Sequence, residues 1–525
     1  MRSRVQYQAN LVALFQQISI TMTLTKSQLA AQLTARCCAV LYSLIGLLPP
    51  STLAQAEWPQ FRGPNSSGIA QGKAPPAEFG PGKNELWRLP LDAGHSSPCI
   101  SGDRLFVTTL QEEKKQLAVV CIARSTGRVL WTKPIQIDEV ETGHPSFNPA
   151  SSSPATDGER VVAYFGSYGL ICFDMQGELL WEIRMPVSKS YAGNATSPAI
   201  HDDRVFLYRA NHVDHFLLAV NKNTGRELWR VPQGEPFTSE LACTACPILA
   251  RDKLIVHSAR SVQAFDPNTG ERIWVTKCAT TATSTPVIAG DEVLVAAWNK
   301  MGEPVLRPPY PSYEELINEH DDNTDQAISP AEFPKLWIFH RPLGAEAPQN
   351  GATVRFKNVD KNGDRKITEN EWLQQLETLA NFRARYRSHG LLAINIESNG
   401  IVDEASLRTL ATRGIPEVPS PIYDGQYVYF VKNGGILTCL EVNSSKPIYQ
   451  IRTGARGTHY ASPLIAGNHL FSTAGNGRIT VLRLGSDPKI LATNELGVPV
   501  YATPAIVDGV IYVRTHQALY AFGLQ

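Results

Sequence analysis

Two segments of twelve residues concentrate oxygen donors at regular spacing. One reads Asp360-Lys361-Asn362-Gly363-Asp364-Arg365-Lys366-Ile367-Thr368-Glu369-Asn370-Glu371. Asp360, Asn362 and Asp364 occupy alternate positions, and Glu371 closes the segment. In a tight loop this spacing turns the three side chains toward one point, and a terminal carboxylate completes the shell with both oxygens. A hard cation such as calcium takes roughly six to eight oxygens in this manner. Lys366 would add its backbone carbonyl, and Thr368 stands at the position that often acts through water. The segment Asp321 to Glu332 repeats the register with Asp321, Asn323, Asp325, the carbonyl of Ala327, Ser329 and Glu332.

Both segments resemble the EF-hand loop, and their starts lie 39 residues apart, which suits a pair. Ile328 and Ile367 hold position eight, where paired loops form a short β bridge. Tyr313 to His320 reads as the first entering helix. Phe356 and Trp372 fit the apolar faces of the second pair of helices. Both loops depart from the pattern at position six, carrying Gln326 and Arg365 in place of glycine. A left-handed backbone there costs a non-glycine residue about 1–2 kcal/mol. Calcium is the expected ligand of both loops, at lowered affinity and in a structural role.

The elements around this segment follow a repeat. A small residue and a proline open each unit: Ser97-Pro98, Ser153-Pro154, Ser197-Pro198, Cys246-Pro247, Thr285-Pro286, Ser420-Pro421, Ser462-Pro463 and Thr503-Pro504. Successive spacings are 56, 44, 49, 39, 135, 42 and 41 residues. All but one lie near the ~40–50 residues of a four-stranded propeller blade. Short β-rich runs between turn signals fill each unit, and the third closes with Thr224-Gly225 ahead of Trp229. The same ending recurs as Thr126-Gly127 with Trp131, Thr269-Gly270 with Trp274 and, as a variant, Gln176-Gly177 with Trp181.

These endings resemble the tryptophan-docking motif of the quinoprotein-like propeller family, over roughly residues 57–300 and 388–525. Tyr449 and Leu491 stand where later units would carry tryptophan. The resemblance implies an all-β, eight-bladed quinoprotein-like β-propeller with a small α-helical EF-hand insertion. The last unit lacks an outer strand, and Glu85 to Leu91 is an outer strand without a blade. Joining the two closes the ring and protects the sheet edges. Trp58 to Pro64 resembles the family's N-terminal lead-in. The 135-residue spacing places the insert between the second and third strands of one blade, where insertions are tolerated. The expected division is 1–56 targeting segment, 57–300 first part of the propeller, 301–388 EF-hand pair and 389–525 the remainder.

Arg36, the apolar run Cys37 to Leu48 and then Ala54-Gln55-Ala56 have the order of a cleavable export signal, with Met22 an alternative start. The run is too short to span a bilayer, which needs about 20 residues. An uncleaved anchor is the alternative, and no membrane span is expected in the mature chain. The expected location is periplasmic or extracellular. Cys99, Cys121, Cys172 and Cys439 fall in strand patterns and read as core residues. A disulfide among the loop residues Cys243, Cys246 and Cys278 is compatible with an oxidising compartment. The chain has 49 basic and 49 acidic residues, which removes the electrostatic footprint of a nucleic-acid binder.

The propeller family includes dehydrogenases that hold pyrroloquinoline quinone (PQQ) near the ring axis. The resemblance brings His95, His144, Tyr191, Asn194, Glu240, Arg456, His459, Tyr460 and Tyr501 toward one central mouth. Those enzymes typically carry adjacent cysteines beside the quinone, and a mature chain here has none. Their calcium sits in the channel, whereas the loops here belong to an insert read as peripheral. PQQ is therefore not expected and no catalytic residue is assigned. The function expected is an exported calcium-binding interaction module for a protein or surface polysaccharide partner, with a PQQ-dependent dehydrogenase-like quinoprotein as the alternative.

Overall fold

The computed structural model describes residues 58–525, apart from 236–243, 279, 300–301, 304–305, 342–349, 385–387, 445 and 525. The targeting segment 1–56, Glu240 and Cys243 lie outside the described residues.

Each small-Pro unit builds one blade around four antiparallel strands, eight blades in all, and a short fifth strand adds in parallel to the fourth blade (Gly400–Val402) and to the seventh (Ile69–Ala70). The inner strands of a blade read as continuous apolar runs because a neighbouring blade covers each face. All six residues of Arg160–Phe165, for example, are buried. Outer strands alternate, as in Glu227–Pro232, because one face meets solvent. The eighth blade is assembled from both ends of the chain. Glu85–Pro90 pairs antiparallel with Ala518–Phe522, placing Trp87 opposite Ala521. In the fifth blade Glu292–Ala297 pairs directly with Gly390–Asn395, across the whole inserted segment.

Two sets of contacts join the blades. On the outside, each docking tryptophan donates its indole N–H to a turn carbonyl of the next blade. Trp87 reaches Arg124 at 2.9 Å, Trp131 reaches Met175 at 3.0 Å, and Trp181 reaches Lys222 at 2.8 Å. Trp229 and Trp274 reach Pro267 and Ile396, both at 3.1 Å. The glycine of the Thr-Gly turn receives the ring. A Cβ on Gly225 would stand 2.8 Å from Trp181, and one on Gly270 would stand 2.8 Å from Trp229. The turn and the tryptophan of one repeat thus face different neighbours.

Around the axis, the small residue before each proline bonds to the one in the next blade. The backbone N–H of Ser97 donates to Ser153 Oγ, that of Ser153 to Ser197 Oγ, and that of Ser197 to Cys246 Sγ. Cys246 then donates to Thr285 Oγ1, Thr285 to Ser420 Oγ, Ser420 to Ser462 Oγ, and Ser462 to Thr503 Oγ1. Six of these seven links end on a hydroxyl at 2.9–3.0 Å. Only the link to the larger sulfur is longer, at 3.3 Å.

This arrangement corrects the disulfide expectation. Cys246 and Cys278 are buried free thiols, and Cys246 occupies a hydroxyl position of the inner ring. The four strand cysteines are fully buried in the core, as expected.

The lead-in crosses the ring at one end of the axis. Trp58 bridges to Ile100 in the first blade, and Asn65 Nδ2 donates to the Leu249 carbonyl in the fourth at 2.8 Å. Arg62, wholly buried, donates to the Pro421 carbonyl of the sixth at 2.7 Å. Burial lowers the pKa of its guanidinium to about 9. Among the described residues no helix is long and apolar enough to cross a membrane.

Candidate metal loops and central cavity

Among its described residues the insert contains three helices: α1 (Tyr313–His320), α2 (Phe356–Val359) and α3 (Glu369–Ala384). Ser312 caps α1 through a reciprocal bond with Glu315, which satisfies two free donors at the helix start. Leu316, Ile328, Val359, Ile367, Trp372 and Leu379 form a small apolar core of their own. Trp372 is fully buried and donates its indole N–H to the Pro311 carbonyl at 3.1 Å.

That core holds the two twelve-residue loops side by side. Ile328 and Ile367 form an antiparallel bridge, each N–H donating to the other's carbonyl at 3.1 and 2.8 Å. In the second loop the N–H groups of Gly363 and Arg365 donate to the two oxygens of Asp360, at 2.7 and 3.1 Å. The N–H of Asp364 donates to Asn362 Oδ1, and that of Lys366 to Asp364 Oδ1. Glu371 folds back over the loop, accepting from the N–H groups of Lys361 and Thr368 at 3.1 and 3.0 Å. The first loop repeats these contacts, with Asp321 accepting from Gln326 N–H at 2.8 Å and Glu332 from Ser329 N–H at 2.8 Å.

Position six has the left-handed backbone that the loop requires, with φ of 60° at Gln326 and 69° at Arg365. Position four is left-handed too, on Gly363 in the second loop but on the β-branched Thr324 in the first. The first loop therefore carries two strained positions and the second carries one. Replacing Arg365 with glycine is expected to stabilise the chain by about 1 kcal/mol, read as a shift in the urea midpoint. No shift would mean that the loop is not held in this conformation in solution.

The donor set suits calcium, with carboxylate, amide, hydroxyl and carbonyl oxygens together in each loop. Among the described residues no three His, Cys, Asp or Glu side chains converge as a metal cluster, so the loops depend on this mixed set. Lys366 Nζ crosses to Asp325 at 2.8 Å and holds that carboxyl below its usual pKa. A cation in the first loop must displace this ammonium.

The insert is not wholly peripheral. Its hairpin, Trp337–Arg341 paired with Asn350–Thr353, reaches the central cavity with Ile338, Phe339, Gly351 and Ala352. Phe382 of α3 joins them. The cavity measures about 930 Å³ and also contains Phe61 of the lead-in. His95, His144, Tyr191, Tyr460 and Tyr501 line it as the sequence implied. Asn194 and His459 do not, because both are buried in the wall. Asn194 donates to Ser152 Oγ at 3.0 Å, and His459 is fully buried. Arg456 is exposed outside the lining. Residues missed by sequence include Trp298, Glu417 and Asn433. Asn433 Nδ2 donates to Glu417 Oε2 at 3.1 Å, and neither residue belongs to a local motif.

This lining does not fit PQQ. That quinone carries three carboxyl groups, and burying carboxylates demands paired cations. Among the described lining residues there is one guanidinium, Arg260, opposed in charge by one carboxylate, Glu417. His95 is held neutral near physiological pH. Burial, aided by His516 and Arg514, lowers its pKa to about 4.

The sequence profile of the family described as outer membrane protein assembly factor BamB matches residues 79–256 and again 118–303. The two placements are shifted by about one blade, as a repeat allows. No curated protein sequence matches the chain. Among solved structures, BamB from Moraxella catarrhalis superposes with a TM-score of 0.48 at 11% identity, over 84% of this chain and 97% of that one. The computationally designed protein Ika8 gives 0.50 at 10% identity, over 84% and 99%. A europium-containing methanol dehydrogenase gives 0.48 at 10% identity, over 89% and 98%. Identities this low speak to fold alone. With the blade order, the closing strand and the repeat profile in agreement, the chain is a quinoprotein-like eight-bladed β-propeller, and its residues 79–303 match the repeat profile described as outer membrane protein assembly factor BamB.

Proposed function

We propose that this chain is an exported, calcium-binding propeller that acts as an interaction module. The observation that carries the calcium reading is the paired loops. Two oxygen-rich segments in one register share an Ile328–Ile367 bridge and turn through left-handed backbone at position six despite Gln326 and Arg365. A strained conformation adopted twice at the same register is a sign of local function. Calcium in these loops would brace α3 and the hairpin that meets the cavity. The export reading is supported by the apolar run Cys37 to Leu48 and the small residues at 54–56. The module reading is supported by the match of residues 79–303 to a family profile described by an assembly factor, and by described cavity-lining residues that lack the charges a quinone cofactor needs.

Calorimetric titration of the mature chain tests the metal assignment. Two binding events are expected, with Glu332→Gln removing one and Glu371→Gln the other. At a calcium concentration a hundredfold above the dissociation constant, stability should rise by about 2.7 kcal/mol per site. A flat titration at millimolar calcium would sink the assignment.

A further inference from the structure

We infer that the central cavity binds a neutral, polyhydroxylated ligand, a short oligosaccharide. This deepens the interaction-module reading and rests on it, but it does not depend on calcium.

Four observations point to that chemistry. The first is size. At about 930 Å³ the cavity lies at the upper end of the roughly 300–1,000 Å³ typical of small-molecule sites. It reaches from Phe61 of the lead-in to Phe339 and Phe382 of the insert.

The second is the aromatic wall. Tyr501 packs edge-on against both Tyr460 and His95, with ring centroids 4.9 Å apart in each pair. Tyr191 is 60% exposed beside His144. A pyranose presents C–H groups on its faces and hydroxyls at its rim. Aromatic faces cover the former, while tyrosine hydroxyls serve the latter.

The third is the ring of hydroxyls about the axis. Ser153, Thr285, Ser420, Ser462 and Thr503 each use an oxygen lone pair to accept a backbone N–H from a neighbouring blade. All five also line the cavity. The Thr285 hydroxyl also meets the Cys246 sulfur, but Ser153, Ser420, Ser462 and Thr503 each retain an O–H donor that no protein acceptor takes among the described residues, and a sugar oxygen is a matching acceptor.

The fourth is charge. Among the described lining residues the charges are one opposite pair, Arg260 and Glu417, which balance. Asn433 orients the Glu417 carboxylate in the lining. An anionic ligand would meet no net cation among the described residues, and an apolar one would leave the remaining O–H donors without an acceptor, at a cost of about 1–3 kcal/mol per buried group.

The test is titration of the full mature chain with cellotriose, maltotriose and chitotriose, followed by a neutral glycan array, in calcium and again in chelator. At least one neutral saccharide is expected to bind under both conditions. Tyr191→Ala, at an exposed position that spares the fold, and Asn433→Ala should each weaken it about tenfold, the loss of roughly 1.4 kcal/mol of contact. No binding across the array overturns the inference. So does binding that survives both substitutions, because the ligand then sits elsewhere. Stoichiometric binding of PQQ that displaces the sugar overturns it as well. The chelator arm keeps failure of the calcium reading separate from failure of this one.

Discussion

Replacing Trp274 with alanine is expected to lower the stability of the propeller by about 3–5 kcal/mol, the usual cost of emptying a buried aromatic site. Trp274 is only 1% exposed. It is packed between the fourth and fifth blades among Ile396, Val293 and Ile394, and its indole N–H satisfies the Ile396 carbonyl. Trp131 holds the same place at its own seam but is only partly buried, so Trp131→Ala should cost less. Trp274→Phe would keep most of the apolar contact and lose the bond, at about 1–2 kcal/mol. Urea unfolding followed by tryptophan fluorescence and circular dichroism reads all three. Equal losses at Trp131 and Trp274 would show that the seams do not differ as their burial requires.

The second large effect concerns pH. Glu141 is buried against the bare backbone of Gly166, where a Cβ would lie 1.9 Å from its Oε2. Neither carboxyl oxygen has a partner in good hydrogen-bond geometry. Burial raises its pKa to about 8, although the Ser188 hydroxyl and the Arg209 charge pull it part of the way back. The other ionisable groups here belong to the Arg209 cluster. Arg209 itself pairs with Asp214 at 2.6 Å and donates to Tyr164 Oη at 2.5 Å. The folded state therefore binds the Glu141 proton more tightly than the unfolded chain does. Its contribution is fully present below the unfolded pKa near 4.5 and is lost as pH rises through about 8. The loss is on the order of 3–5 kcal/mol. The buried imidazoles of His257 and His459 work in the opposite sense. Burial lowers both to about 4, so stability is lost as pH falls below about 6.5 toward 4. Glu141→Gln should flatten the alkaline decline and leave the acid limb unchanged. Urea midpoints at pH 5, 7 and 9 decide this, and an alkaline slope identical to wild type would remove Glu141 as its source.

Much of the fold was legible because its signals are local and repeated. Eight small-Pro openings at blade spacing, the Thr-Gly turn before tryptophan, and an outer strand at Glu85 with no blade of its own together imply a closed ring. Why the opening residue must be small and hydroxylic was not legible. Its partner is the equivalent residue one blade away, as Ser153 is to Ser97, and no window along the chain contains both. The same distance hid the fit of Gly225 beneath Trp181. In the loops, the position-eight isoleucines and the strain at position six could be read from the register. The left-handed Thr324 could not, because threonine carries no mark of that backbone. Glu141 sits between Val140 and Thr142 in an unremarkable stretch, and only the packing of Gly166 and Ser188 makes it unusual. The insert read as peripheral since its sequence departs from the blades, yet its hairpin folds back to the axis.

The eighth blade also sets an order of events in the life of the chain. Glu85–Pro90 leaves the ribosome roughly 430 residues ahead of its partner Ala518–Phe522. At roughly 5–20 residues per second, the first strand waits on the order of 20–90 s for its mate. Until then every nascent chain exposes two unpaired strand edges, and an open arc of blades offers templates for other chains.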